Sequence, residues 1–492
     1  MADTVLAVDC GTHAVRTMAF KVDTGAHHLC ASEDLPLSFP QPGWVEIDPE
    51  LVVSATARVL RAGIDWAAQQ GDRVVAVGLT NMRETAFAWR RSTGQPVHPG
   101  IMWMSQQSDP VVDEWKAAGL EDLIRSRTGL VNHSFFFGSK VAWLLRNDAR
   151  ARQLAEEGDL AVGTLDSWLL YRLTGGAVHA TDVSNASRYQ LMGLADLAWD
   201  DELCEALGIP RGCLPEILPS EGHFGVTDAT LCGQEVPITG VVADQQASLL
   251  GHGCEDLGDV KVTFGTSGVV ALNVGSETPL RTGLLTSVAW TDRAGRTTYE
   301  MEGSAFHSGY TLQWLIQRFG AAALAADGMR PSALAPDERV YLLPSFTTLG
   351  APRWTPRSGA VITGLGMDTQ TADIMRAGVE AMAFQAYDLF AAMDDGRDGS
   401  TSDVAVDGGG ATNDYLCQML ADLLGRDVVR PALQDITSAG AAKAALAGAG
   451  HAPDRWFGQD RGSIDRFEPG TGASYAREGY QRWVDLVETV LR

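Results

Sequence analysis

The sequence predicts an α/β fold built as two related halves. Three observations lead there. Strand-like apolar runs alternate with longer stretches of helical period, a hairpin with a Gly-Thr tip occurs twice, and 492 residues exceed what one hydrophobic core usually organises.

Residues 4–8 read as a short strand, Cys10-Gly11-Thr12-His13 as a tight turn, and residues 15–22 as the returning strand, so the chain opens on a hairpin with a polar tip. Helical stretches follow at residues 51–70, 138–147 and 149–157, with a strand-like run at 73–79. The hairpin plan returns at residues 260–274, where Val-Lys-Val-Thr-Phe enters a Gly265-Thr266-Ser267-Gly268 turn and Val269-Val270-Ala271-Leu272 leaves it. Amphipathic segments at 309–319 and 369–393, a strand at 403–406 and an Ala-rich helix at 438–449 complete the second half. The boundary is expected within residues 251–258, giving halves of 1–252 and 253–492. Three glycines there suit a hinge, and a plain surface loop accounts for them equally.

Hydrophobic residues make up 45% and charged residues 20%, with no long block lacking apolar side chains, which fits a folded chain without extended disorder. The formal charge of −24 disfavours nucleic acid and anionic membrane as partners, because no cluster of Lys and Arg is present to meet a phosphate surface. A nucleotide would have to be met by backbone amides, a metal ion and a few placed cations. The seven cysteines (10, 30, 204, 213, 232, 254 and 417) form no Cys-x-x-Cys pair, which argues against a zinc site or a disulfide framework and for reduced thiols in the cytoplasm. Met1 leads into apolar residues without a basic leader, and nowhere do about eighteen apolar residues run together, so neither a signal peptide nor a membrane span is expected.

Asp9, Gly11 and Thr12 sit where a strand ends: glycine admits close approach of a phosphate, Thr offers a hydroxyl, and Asp suits a hydrated magnesium ion. Taken alone, an ordinary hairpin turn explains the same residues. Gly265-Thr266 repeats the composition, and Asp407-Gly408-Gly409-Gly410 adds a third glycine cluster between a strand and a helix. No Gly-x-x-x-x-Gly-Lys-Ser/Thr or Gly-x-Gly-x-x-Gly pattern is present, so a P-loop enzyme and a dinucleotide-dependent dehydrogenase are both disfavoured. Asp244 stands between an apolar strand and a small-residue helix, as a helix N-cap or as a general base for a hydroxyl. Arg83 and Glu84 suit a polyol's hydroxyls, and a solvated surface pair is the plain alternative. Trp44, Trp103 and Phe135 are candidates to stack on a substrate, among thirteen Trp residues that mostly pack cores.

Longer stretches run in order along nearly the whole chain: Asp9-Cys10-Gly11-Thr12 with Arg16, Gly43-Trp44-Val45-Glu46-Ile47-Asp48-Pro49, Thr80-Asn81-Met82-Arg83-Glu84-Thr85 and Gly163-Thr164-Leu165-Asp166-Ser167-Trp168. They continue through Thr181-Asp182-Val183-Ser184-Asn185-Ala186-Ser187-Arg188, Asp244-Gln245-Gln246-Ala247, Gly265-Thr266, residues 309–314, Gly350-Ala351-Pro352-Arg353-Trp354 and residues 407–413. With these stretches the chain resembles the FGGY carbohydrate kinases, and within them it is most similar to glycerol kinases.

The resemblance implies two ribonuclease H-like, actin-like ATPase domains flanking a catalytic cleft, which close on ATP, Mg2+ and a small polyol or sugar. By position, Asp244 is the catalytic base, Asp9 the magnesium-associated aspartate with Asp244 beside it, and Arg83, Glu84, Trp103, Phe135 and Gln245 line the polyol site. Gly11, Thr12, Gly265 and Thr266 fall on phosphate contacts, Gly309, Gln313, Gly409, Gly410 and Asn413 on nucleotide contacts, and Arg16 on the cofactor site. Residues 1–252 would carry the substrate and the base, and 253–492 the nucleotide. A homodimer or homotetramer is implied in the same way.

Several positions depart from glycerol kinases: Met82 replaces a Gln, Phe135 a Tyr, Met104-Ser105-Gln106-Gln107 an Arg-containing stretch, and Val269 an aromatic residue. The run from Gly265 to Val270 is more similar to pentulose kinases, so a four- or five-carbon sugar alcohol or ketose is the alternative substrate. Phe137 and Gly378 are two smaller departures, at packing positions. A non-catalytic, actin-like nucleotide-binding regulator is a third reading, disfavoured by the presence of Asp244 and the Arg83-Glu84 pair.

Overall fold

The computed structural model describes residues 2–320, 329–346, 349–355, 359–394, 402–433, 435–451 and 465–491. The first half is organised on a five-stranded sheet of β1 (Asp3–Cys10), β2 (Ala14–Lys21), β3 (His27–Asp34), β4 (Arg73–Asn81) and β5 (Ile238–Ala243), in the order β5-β4-β1-β2-β3. The first three strands are antiparallel neighbours, whereas β4 runs parallel to β1 and β5 parallel to β4. Val5 to Val8 are all fully buried because both faces of the sheet are covered, which is why β1 reads as a continuous apolar run. One cover is α1 (Pro49–Gln69), whose N-cap Asp48 accepts from the backbone amides of Glu50 and Leu51 with Pro49 in the first turn. Further along, α2 (Phe137–Asn147) packs outside the sheet, and α3 (Asp244–Gly251) follows β5 directly.

The second half holds a seven-stranded sheet: β6 (Val260–Phe264), β7 (Gly268–Gly275), β8 (Leu285–Thr291), β9 (Thr297–Ala305), β10 (Val404–Asp407), β11 (Val428–Arg430) and β12 (Asp465–Phe467). Their order is β8-β9-β7-β6-β10-β11-β12. Without the edge strands β8 and β12, the remaining β9-β7-β6-β10-β11 repeats β3-β2-β1-β4-β5 in order and in strand sense. The two Gly-Thr hairpins are thus the equivalent first hairpins of two ribonuclease H-like sheets. The half also holds helices α4 (Ser308–Phe319), α5 (Thr371–Met393), α6 (Asp414–Leu424), α7 (Ile436–Gly448) and α8 (Ala473–Leu491).

The two halves exchange helices. α7 follows a strand of the second sheet, yet its Ala439, Ala441, Ala442 and Ala445 pack with Val5, Ala7, Met18 and Phe20 of the first. α3 follows a strand of the first sheet, yet its Ala247, Leu249 and Leu250 join Ala271, Ala405 and Val429 of the second. Glycine permits the close approach: a Cβ at Gly440 would stand 1.8 Å from the Ala247 carbonyl oxygen, and one at Gly78 2.2 Å from that of Ala441. An Ala-rich helix that is apolar all round is explained by this double contact. Among the described residues no helix is long and apolar enough to cross a membrane.

Candidate active site

A cavity of about 170 Å³ lies between the two sheets. Both hairpin tips reach it, through Thr12 on one side and Gly265 and Thr266 on the other. The turn after β4 supplies Arg83 and Glu84, the β5–α3 junction supplies Asp244 and Gln245, and Trp103 and Phe135 form an aromatic wall with Phe306. Trp103 and Phe135 meet edge to face, their ring centroids 5.6 Å apart, and the Trp103 indole Nε1 donates to the Thr12 hydroxyl at 3.0 Å. Trp44 does not join them: it packs edge to face on Trp143 and leaves the cavity untouched.

Asp244 is not the N-cap. Ala243 takes that place without a side-chain bond, and Asp244 opens the helix, where the dipole favours its ionised form. Its Oδ1 accepts from the Gln245 amide at 2.7 Å and lies 3.4 Å from Arg83 Nε, and its side chain is 28% exposed, toward the cavity. Burial raises its pKa to about 6 against the pull of the Arg83 guanidinium, with Glu84 adding to the rise. Asp9, at the end of β1, is raised to about 6 as well, by burial first, with Arg16 at 3.5 Å opposing and the Asp244 charge adding. Two carboxylates that repel one another, Asp9 buried and Asp244 half-buried, are a donor set suited to a divalent cation. Among the described residues no group of three or more His, Cys, Asp or Glu forms a fuller metal site, and magnesium characteristically takes one or two carboxylates and completes its shell with water and substrate phosphate.

Arg83 and Glu84 are not a surface pair but are 5% and 2% exposed. Arg83 forks onto Glu302 of β9, with Nη1 donating to Oε2 at 2.5 Å and Nη2 to Oε1 at 3.2 Å. The Glu84 carboxylate accepts from Arg188 Nε at 2.6 Å, and Arg188 Nη2 reaches Glu302 Oε1 at 3.3 Å. Burial alone would raise the Glu302 carboxyl, but Arg188 and Arg83 overcome it and hold it at about 2. Glu84 also has a left-handed backbone, φ 58°, a conformation that non-glycine residues adopt only when their surroundings enforce it. Nearby, the Lys140 ammonium at the start of α2 donates to the carbonyls of Ser134, Phe135 and Phe136 and so holds the Phe135 loop; burial lowers its pKa to about 7.

The remaining predicted residues do not line the cavity wall. Arg16 bridges Asp9 and, at 2.5 Å, Asp435 of the second half, and the Gly11 amide closes its turn on the Ala14 carbonyl at 3.0 Å. The Gly309 amide donates to the Gly265 carbonyl at 2.9 Å, and a Cβ at Gly309 would stand 2.3 Å from that oxygen. Gly410 packs on Phe264, Gly409 faces open space, Gln313 is exposed on α4, and the Asn413 side chain caps α6 by accepting from Leu416 N at 3.1 Å. Sequence reasoning missed Glu302, Lys261 and the joining of Asp407 to Ser248 and His252. Lys261 donates to Gln245 Oε1 at 2.5 Å, and Asp407 accepts from Ser248 at 2.5 Å and pairs with His252 at 2.9 Å. The one available signal was Lys261, an ionisable residue inside a mainly apolar strand; Glu300 and Glu302 lie in a strand rich in polar residues and carried no such mark.

Family models for the FGGY carbohydrate kinases match residues 4–251 with the N-terminal domain and 260–449 with the C-terminal domain. A glycerol kinase from Agrobacterium fabrum is 40% identical over 99% of this chain and 98% of its own length, and one from Alkalilimnicola ehrlichii is 41% identical over 91% and 90%. Among solved structures, Plasmodium falciparum glycerol kinase with ADP superposes with a TM-score of 0.91 at 26% identity over 100% of this chain and 99% of that one. The fold is shared more widely: a xylulose kinase from Lactobacillus acidophilus gives 0.86 at 19% identity over 99% and 98%. With both domain models matched across its two sheets, the chain belongs to the FGGY family of carbohydrate kinases, ATP-dependent enzymes with the actin-like fold.

Proposed function

We propose that the protein transfers the γ-phosphoryl group of ATP to a primary hydroxyl of glycerol. The observation that carries this reading is the meeting of Asp244, Arg83, Glu84 and both Gly-Thr tips on one small cavity between the sheets. The near-full-length identity to glycerol kinases supports glycerol as the acceptor. Asp244, ionised at neutral pH, takes the proton of the attacking hydroxyl as its oxygen bonds to the γ-phosphorus and the bond to the β-phosphate oxygen breaks, leaving ADP. Arg83 and Glu84 fix the other hydroxyls, Gln245 borders them, and Trp103 and Phe135 cover the carbon face. Gly11, Thr12, Gly265 and Thr266 offer amides and hydroxyls to phosphate. Arg16, Gly309, Gln313, Gly409, Gly410 and Asn413 border the nucleotide. Mg2+, held beside Asp9 and Asp244, would neutralise phosphate charge. Closure about residues 251–258 excludes water and so limits ATP hydrolysis. We place the enzyme in the cytoplasm as a homodimer or homotetramer, with neither nucleic acid nor membrane as a partner. The charge of −24 and seven cysteines that form no disulfide, six of them buried, support that environment.

One observation favours a second substrate class. Met82, Met104, Phe135 and Val269, positions at which the sequence departs from glycerol kinases, all line the cavity, so the wall that meets the acceptor differs there and a four- or five-carbon sugar alcohol or a pentulose is the alternative. ATP consumption measured side by side with glycerol, erythritol, xylitol, xylulose and ribulose separates the two. Glycerol should give the highest kcat/KM; a pentulose in first place would transfer the function to the second class, and no turnover on any of them would overturn both.

A further inference from the structure

We propose that Glu302 is the residue that positions Arg83 for the acceptor, so that the grip on the polyol is set from the half of the molecule that holds the nucleotide. The inference rests on the reading of Arg83 as a polyol contact. A guanidinium is planar, and its orientation is fixed once its two terminal nitrogens are held. In Arg83 both are held by the same carboxylate, at 2.5 and 3.2 Å, which leaves Nε on the Asp244 side, 3.4 Å from Oδ1. Glu302 itself is fully buried and is anchored by Arg188 and by the Ser304 hydroxyl, which donates to Oε1 at 3.2 Å. It does not line the cavity, so it acts on the acceptor through its neighbours, directly through Arg83 and at one remove through Arg188, which also holds Glu84.

Position in the chain gives this contact its meaning. Arg83 extends from the first sheet, whereas Glu302 lies on β9, whose end runs through Phe306 into Gly309, the glycine bonded to the second Gly-Thr tip. Any displacement of that strand moves the acceptor arginine and the phosphate turn together. A neighbouring acid serves as the internal control. Glu300 lies two residues earlier on the same strand face and is buried to the same degree, but its partners are Gln246 at 2.7 Å and Ser287 at 3.2 Å, and no hydrogen bond joins it to Arg83.

The test compares Glu302→Gln, Glu302→Asp and Glu300→Gln in the full-length enzyme, with KM for the preferred polyol, KM for ATP and kcat measured for each, after a melting curve shows that it is folded. Glu302→Gln should raise the polyol KM about tenfold or more, with the ATP KM within about twofold of the parent, since one fork of a bidentate pair is lost while the nucleotide contacts stay. Glu302→Asp keeps the charge but falls a methylene short, and should raise the polyol KM by a smaller factor. Glu300→Gln should keep the parent values. A parent-like polyol KM in folded Glu302→Gln, or an ATP KM rising in step with the polyol KM, overturns the proposal. If Glu302→Gln does not fold, Glu302→Asp decides by the same criteria. A parent enzyme that phosphorylates none of the polyols would overturn the functional reading and this inference with it, whereas an active parent with indifferent variants overturns the inference alone.

Discussion

Replacing Asp244 with Asn separates the chemistry of the site from its cost to the fold. Asn is nearly isosteric and keeps an oxygen to accept the Gln245 amide, but it takes no proton from a hydroxyl. Turnover should fall by about a hundredfold to ten-thousandfold, the range that a positioned general base contributes. Stability should move the other way. The folded-state pKa of Asp244 is raised from 3.8 to about 6. Below pH 3.8 the folded and unfolded chains both carry the proton and the residue costs nothing. Between 3.8 and about 6 the unfolded chain ionises first and folding loses stability. Above about 6 the loss is complete, near 3 kcal/mol at about 1.4 kcal/mol for each tenfold change in proton affinity. Asn escapes that loss. Without nucleotide or metal, the variant should therefore melt about 3 °C above the parent at pH 7.5, since about 2.1 cal/mol/K per residue over 492 residues is an unfolding entropy of about 1 kcal/mol/K, and the two should nearly coincide at pH 4. A coupled assay of ADP release and thermal melts at both pH values provide the measurements. Near-parental turnover in folded Asp244→Asn would refute the base assignment, and a melting point at pH 7.5 no higher than the parent's would refute the burial argument.

Three further outcomes are expected. The kcat/KM for the polyol should rise with pH through about 6, by about tenfold per pH unit on the acid side, and the acid limb should move lower as Mg2+ is raised, because a cation beside Asp9 and Asp244 favours their ionised forms; profiles from pH 5 to 8 at two Mg2+ concentrations check this. Phe135→Tyr places a hydroxyl on the apolar wall and should lower the glycerol KM severalfold, about 1 kcal/mol for one added hydrogen bond, read from initial rates. Gly440→Ala drives a methyl into the Ala247 carbonyl and should cost about 1–3 kcal/mol or more in a denaturant melt, whereas Gly212→Ala, with nothing within 4 Å, should be neutral or slightly stabilising.

The first hairpin of each sheet was legible because apolar strands flank a polar Gly-Thr tip, and α1 because its amphipathic period follows a Pro in the first turn. Periodicity also located α4, α5 and α7 to within about two residues, the usual uncertainty of helix ends. It did not show that α7 belongs to the opposite sheet, since an Ala-rich helix has no single face to mark its partner. The pairing of Arg83 with Glu302 was equally hidden. The two are 219 positions apart, and an isolated Arg-Glu dipeptide carries the signature of a solvated pair, while burial depends on strands that close over it from the other half. The third glycine cluster was visible, but its packing around Phe264 follows from three-dimensional proximity alone.

The exchange of α3 and α7 bears on how the molecule is made. All five strands of the first sheet have been synthesised by residue 243, yet the face that α7 covers stays bare until residue 448 has been translated. A ribosome-bound chain must therefore keep an apolar surface shielded for more than two hundred residues, and a fragment ending near residue 252 would present that surface to any neighbour. Cooperation between the lobes begins during biosynthesis, before any ligand has arrived to close them.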